Sequence, residues 1–264
     1  MNVDADIRRA FHAATVGELA WIDPVGRPHA HPVTPLLLGD KPAVAFPYAE
    51  AALARRVAAA PVAALVVSDD RLTGRSWHPA ALAGPPRLIE DRDGTEFSER
   101  LLTQELRKYP PARALVDSPL LRREHWWYLP RLIVVLDGVS ATPVGVRSGG
   151  RGEVLAVAGD DHGLRVDTVD RVDAANGTIR LTSLAGRPPA TGPAVLLGHD
   201  FSAPDLERWT PWVTRGRLAE GHLTVEESPA RTALAPPLGL WQRLTRQRRL
   251  ARQCRQAIDA TTVR

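Results

Sequence analysis

Residues 20–69, AWIDPVGRPHAHPVTPLLLGDKPAVAFPYAEAALARRVAAAPVAALVVSD, alternate short apolar runs with dense turn signals, and few folds admit that order. The run ending at Ile22 breaks at Asp23-Pro24-Val25-Gly26-Arg27-Pro28, a turn-forming cluster. A second run, His29 to Leu38, stops at Gly39-Asp40, and a third, Pro42 to Pro47, is short enough for a strand. Ala49–Ala60 is rich in Ala, Leu and Arg, which favours helix, and Pro61 ends it. Val62–Ser68 is continuously apolar and β-branched, as a buried strand should be. The order predicted is strand, turn, strand, turn, strand, helix, strand.

The flanking residues extend this plan. A short helix is predicted over Asp4–Ala14, with Ile7, Ala10 and Phe11 on one face. Asp69–Gly84 reads as a loop that carries Arg75-Ser76-Trp77-His78-Pro79, and Asp69-Asp70 as loop acids. Arg87–Glu90 is a short strand, and Thr95–Lys108 a helix capped by Thr95 and ended by Tyr109-Pro110-Pro111. Ala112–Glu124 is a second helical piece before His125–Leu136, an aromatic and β-branched closing strand.

Beyond Gly138, Ser148–Gly152 is the clearest linker. Leu164–Val169 and Thr178–Ser183 flank Asn176-Gly177, a strong hairpin dipeptide. Pro193–His199, a short helix over Ala203–Trp209, and Trp212–Leu218 repeat the earlier strand–helix–strand order, and His222–Glu226 forms a hairpin with the last of these. The alternative is chance likeness between two β-rich halves. Leu240–Ile258 is a helix with Leu240, Leu244, Ala251, Cys254 and Ile258 close to one face and six arginines on the others. Its plain reading is a solvated helix packing a thin apolar stripe; anionic lipid, RNA or an acidic partner are the other occupants its charge could draw.

Three pieces resemble the FMN-binding split-barrel family, the pyridoxamine 5'-phosphate oxidase-like proteins. Gly26-Arg27-Pro28-His29-Ala30-His31-Pro32-Val33 looks like the family's turn and second strand, Lys41–Phe46 like its third strand, and Arg55–Val67 like its helix, proline break and Val-rich strand. The resemblance implies a mainly β fold with flanking helices. It suggests two tandem split β-barrels, the second degenerate, plus a C-terminal helix. The units expected are a flavin-binding-like domain over residues 1–137, a second barrel-like domain over 138–227 and a basic helical tail over 228–264. It also implies a homodimer with the cofactor between barrels, although two barrels in one chain could complete that site internally.

For the cofactor, the resemblance implies FMN, with deazaflavin or haem as alternatives. A flavin phosphate needs cationic or N–H donors at a helix or strand end. The family's hydroxyl and lysine positions are here Ala51 and Leu53, which leaves Arg55 and Arg56 to substitute or to lie on a solvent-facing helix surface. His29 and His31 alternate on a strand and share a face, with Thr34 near its end; they line the expected site or simply the barrel. Trp77, with His78, Trp126 and Trp127, offers flat surface for stacking or for the core. No further ligands stand at metal-site spacing from the His-x-His pair, so no metal is expected.

No Gly-rich phosphate loop, nucleophile elbow or assembled acid–base pair is visible, so no catalytic residue is named. Absence of a triad does not argue against an enzyme, because a flavin carries its own hydride chemistry. Two readings stand: a flavin- or deazaflavin-dependent oxidoreductase acting on a small conjugated substrate, and a non-catalytic barrel holding haem, a tetrapyrrole or nothing. The net charge of +4 rests almost wholly on arginine, Lys41 and Lys108 being the lysines, so a nucleic-acid partner is not favoured. With a single cysteine, an N-terminus without a signal-peptide core and no apolar run of membrane-spanning length, a cytoplasmic protein is the expectation.

Overall fold

The computed structural model describes residues 5–74, 77–116, 126–159 and 163–262. Helix α1 (Ala5–Ala13) leads into β1 (Gly17–Ile22), β2 (Pro28–Val33), β3 (Leu36–Leu38) and β4 (Lys41–Pro47). A 3-10 turn, Tyr48–Glu50, opens α2 (Ala51–Ala58), and β5 (Ala63–Val67), β6 (Ala80–Gly84) and β7 (Pro86–Asp91) follow. A π-helical turn, Phe97–Leu101, continues as α3 (Leu102–Lys108), then α4 (Arg113–Val116), β8 (Arg131–Leu136) and β9 (Ser140–Thr142). Two antiparallel sheets result, β2-β1-β5-β6-β9 and β3-β4-β8-β7. They are joined where one strand path crosses from sheet to sheet, at Thr34-Pro35 between β2 and β3 and at Pro85 between β6 and β7. Proline donates no ladder hydrogen bond, so the breaks fall where the pairing changes sides. The outcome is a split barrel around Phe11, Trp21, Leu65, Phe97, Trp127 and Leu132.

The second half closes completely. Strands β10 (Glu153–Ala158), β11 (Leu164–Ala175), β12 (Thr178–Ser183), β13 (Gly192–Phe201), β14 (Trp209–Ala219) and β15 (His222–Glu227) form a barrel in the order β10-β11-β12-β15-β14-β13. The β11–β12 hairpin turns on Asn176 (φ 51°) and Gly177 (φ 75°), the two positive angles that a two-residue turn of matching twist requires. Helix α5 (Leu240–Thr262) follows.

Strand alternation shows how the halves meet. In β1, Leu19 and Trp21 enter the first core while Ala20 faces outward; in β5, Leu65 faces in and Ala64 and Val66 out. In β10, Leu155 and Val157 fill the second barrel while Val154 and Ala156 face the first. The outward residues, with Ala30, Val166, Val195 and Leu197, make one buried cluster between the barrels. Strands buried on both faces read as unbroken apolar runs, which is the pattern of residues 62–68.

Several expected elements differ. Ala80–Gly84, placed in a loop, is β6; its alanines carry little strand propensity, and pairing with β5 and β9 decides its state. Ala203–Trp209 is not a helix: Ser202 to Arg208 close a loop between β13 and β14, with Ser202 N–H bonded to the Arg208 carbonyl, and Pro204 cannot donate a helical hydrogen bond. Thr95 does not cap the following helix; Asp93 accepts from Thr95 N–H, and Asp91 from Glu96 and Phe97. The closing strand begins at Arg131 rather than His125, after a 3-10 turn at Trp126–Tyr128 and Pro130. Ser148–Gly152 is tethered as well as linking, because neighbouring Arg147 is wholly buried between the barrels. Residues 75–76 and 117–125, part of the expected loop and second helical piece, and the acids Asp160-Asp161, expected like Asp69-Asp70 to be loop acids, lie outside the described residues.

Candidate functional site

The side chains expected to hold a cofactor fall on separate elements. His29 and His31 do share a face of β2. His29 is stacked on Trp21, ring centroids 5.2 Å apart and planes within 13°, and its Nε2 lies 3.0 Å from Asp23 Oδ2. His31 is half-buried, and burial pushes its pKa below the ordinary histidine value. Thr34 sits at the β2–β3 break, also half-buried. Trp77 belongs to the first core, its indole N–H donating to the Ala10 carbonyl at 3.0 Å. Trp127 is buried too, whereas Trp126 and His78 are exposed.

Arg55 and Arg56 stand on the exposed side of α2, which packs on β7 and β8 of the other sheet. Arg55 donates to Glu90 at 3.1 Å, and Arg92 reaches the same carboxylate at 3.2 Å. Glu90 therefore already supplies the anion between two arginines. The start of α2 is covered by α5: Cys254 is fully buried, its sulfur against the backbone amides of Tyr48 and Ala49, and burial raises its thiol pKa. A flavin phosphate at that helix start would meet Cys254 and no cationic side chain from Ala51 or Leu53. The residues there do not fit the group.

A different cleft has the makings of a site. At one end of the second barrel, a cavity of about 530 Å³ is walled by Leu155, Val157, Val169, Leu181 and Leu218. Arg165, Arg180, Arg187 and His222 stand around it. Arg187 is held by donation to the Val166 carbonyl at 2.8 Å, and His222 Nδ1 lies 3.1 Å from the Glu220 carbonyl. A carbonyl only accepts, so that nitrogen carries the proton and Nε2 keeps its lone pair. Asp167 and Glu220 also line it, and Arg165, Arg180 and His222 are exposed at its rim, so the cleft joins apolar walls to a mixed, mainly cationic rim that can receive an amphipathic anion.

These residues escaped the sequence reading because arginine is common throughout the chain; the one local cue is the alternation of polar and apolar side chains over Leu164–Asp167 at the start of β11. Between the barrels lies a second polar group it missed, Glu18, Ser68, Arg147 and His199, each of them inaccessible to solvent. Among the described residues, no cluster of three or more His, Cys, Asp or Glu side chains is arranged to hold a metal ion, and no helix is long and apolar enough to cross a membrane.

No protein-family model and no curated protein matches the chain. Among solved structures it is similar to a pyridoxamine 5'-phosphate oxidase-related, FMN-binding protein from Nostoc punctiforme (16% identity, 62% of this chain and 94% of that one, TM-score 0.31). It is also similar to the haem storage protein HutZ from Vibrio cholerae (12% identity, 53% and 94%, TM-score 0.32). A haem-binding protein from Mycobacterium smegmatis aligns over 97% of this chain and 100% of its own, at 15% identity and a TM-score of 0.33. At these values the ligand of this chain is left to its own residues.

Proposed function

We propose that this chain is a non-catalytic, ligand-binding two-barrel protein of the cytoplasm, and that its ligand is an amphipathic anion of the tetrapyrrole class held in the cleft of the second barrel. The observation that carries this reading is the combination of five aliphatic walls with Arg165, Arg180 and Arg187, which outnumber Asp167 and Glu220, around one cavity of about 530 Å³. An iron porphyrin would bury its ring against the leucines and valines, offer its carboxylates to the arginines and take His222 Nε2 as a ligand. A histidine whose other nitrogen is fixed by a backbone carbonyl is well prepared for that role.

The second reading is the flavin- or deazaflavin-dependent oxidoreductase with a small conjugated substrate. It keeps support from the split-barrel fold, but its phosphate would have to use cations other than Arg55 and Arg56. Assembly follows the same logic. A homodimer is the expectation from the resemblance; here β1, β2 and β5 already pack on a second barrel in the same chain, so a further copy would have to use another face.

Titration of the purified protein with haemin, and separately with FMN, tests the proposal. Haemin should give a Soret band that shifts in His222→Ala and an affinity lowered about tenfold or more in Arg165→Gln/Arg180→Gln, since each charge-assisted contact contributes roughly 1.5–3 kcal/mol. FMN uptake with no haemin response would transfer support to the second reading. Haemin binding indifferent to all three substitutions would remove the cleft as the site.

A further inference from the structure

Helix α5 uses one face to hold the first barrel, and on another side, where Arg255 lies 6.0 Å over the Trp126 ring, Leu240, Trp241 and Leu244 join no core cluster among the described residues. Leu250, Ala251, Cys254, Ala257 and Ile258 pack on the first core, and Arg243 ties the start of the helix to Glu207 at 2.7 Å. The expected apolar stripe is thereby split: Leu240 and Leu244 do not join Cys254 and Ile258. Leu240 is 78% exposed, Trp241 81% and Leu244 45%, with Leu238 just before them at 37%. On the side of the helix that carries Trp241 run Arg248, Arg252 and Arg255, with Arg249 beside them. Six arginines against one acid, Asp259, make the helix strongly cationic.

We propose that this face docks the protein on an anionic lipid surface. Trp241, Leu240 and Leu244 enter the boundary between headgroups and acyl chains, while Arg248, Arg249, Arg252 and Arg255 meet lipid phosphates. Two observations select lipid over nucleic acid. An RNA backbone would satisfy the arginines but give Leu238, Leu240 and Leu244 nothing to bury against, whereas a bilayer takes both halves of the pattern at once. The amphipathic indole of Trp241 is suited to headgroup depth. Docking also leaves the buried face of α5 undisturbed, so the helix need not leave the barrel.

The test is flotation of the intact protein with phosphatidylcholine vesicles, with and without phosphatidylglycerol. Binding should require phosphatidylglycerol and weaken as salt is raised. Trp241→Ser/Leu244→Ser should abolish it, and Arg248→Gln/Arg252→Gln should weaken it about fivefold for each arginine removed. All four positions are half-buried or more exposed, so circular dichroism of each variant should match the parent. Failure to float with phosphatidylglycerol vesicles at low salt overturns the proposal. So does binding that ignores Trp241→Ser/Leu244→Ser, or retention of a homopolymeric RNA by a protein that ignores vesicles, which would assign the arginines to nucleic acid.

Discussion

The Glu18 carboxylate of the first barrel and the His199 imidazole of the second meet at 2.5 Å, with both side chains wholly buried. Trp209 Nε1 donates to His199 Nδ1 at 3.2 Å, so His199 Nε2 carries the proton and donates to Glu18. Arg147 donates to the same Glu18 oxygen and, through Nε, to Ser68 Oγ at 2.8 Å. One acid, one base and one permanent cation thus pin the two barrels at a buried point, beside the apolar cluster and with Arg71–Asp200 and Arg215 to the Pro28 carbonyl as further polar contacts. Arg147→Met strands Glu18 without its cation and should cost about 3–5 kcal/mol. Arg147→Met/Glu18→Met should recover part of that loss. Urea unfolding of the two variants checks both statements, and a double variant no more stable than the single one would contradict the pairing.

Cys254 reports on the docking of α5. Its thiol is inaccessible and burial raises its pKa, so a thiol reagent should react with the native protein far more slowly than with the unfolded chain. Because the chain has no other cysteine, the labelling rate measures how often α5 lifts from Tyr48–Glu50. Leu250→Ala should raise that rate while leaving the second barrel folded. Rapid labelling of the native protein would show that α5 does not stay docked.

Lys108 sets a pH dependence. It is buried, donating to the carbonyls of Phe11 and Pro35, and burial lowers its pKa to about 7, with Arg107 contributing. Between that value and the ordinary lysine range, the unfolded chain binds a proton that the folded one does not. Stability should therefore rise with pH across that window and be lowest on its acid side. Lys108→Met should flatten the slope between pH 7 and 10, measured as the urea midpoint at each pH.

Arg55 and Arg56 should be nearly silent. Arg55 is about half exposed and paired with Glu90, so removing the ion pair should cost less than about 1 kcal/mol. Arg55→Ala/Arg56→Ala should leave any response to FMN unchanged. A clear loss of FMN affinity in that variant would restore α2 as the phosphate site.

What the sequence discloses depends on whether a residue's own chemistry decides its state. β5 and the body of β8 are legible because strands buried on both faces read as unbroken apolar runs, Ala63–Val67 and Leu132–Leu136. The Asn176-Gly177 hairpin is legible because its backbone angles are open to few residue pairs. β6 is not, since Ala80-Ala81-Leu82-Ala83-Gly84 becomes a strand only through its neighbours. The surroundings of the expected cofactor residues were hidden for a related reason. Whether His29 stacks on Trp21 depends on the register of the β1–β2 hairpin, and whether Arg55 meets Glu90 depends on how α2 packs on β7. Covering of the α2 start by Cys254, some two hundred positions away, has no local signature at all.

Pairing two barrels within one chain removes a constraint that two identical copies impose. In a symmetric dimer each substitution appears twice, and an acid on the axis-facing strand would confront its own duplicate's surroundings. Here Glu18 occurs on one side only and His199 on the other, with Arg147 held against Ser68 and Asp70 of the first barrel, an arrangement that two-fold symmetry would have to repeat at both edges. The edges of the barrel contact are consequently free to diverge. One is lined by Arg27, Pro28, Arg215 and Arg217 with Glu226 and Glu227, while elsewhere Arg71 spans Asp69 and Asp200. A tandem of this kind can change one edge and keep the other, where a symmetric pair would have to change both.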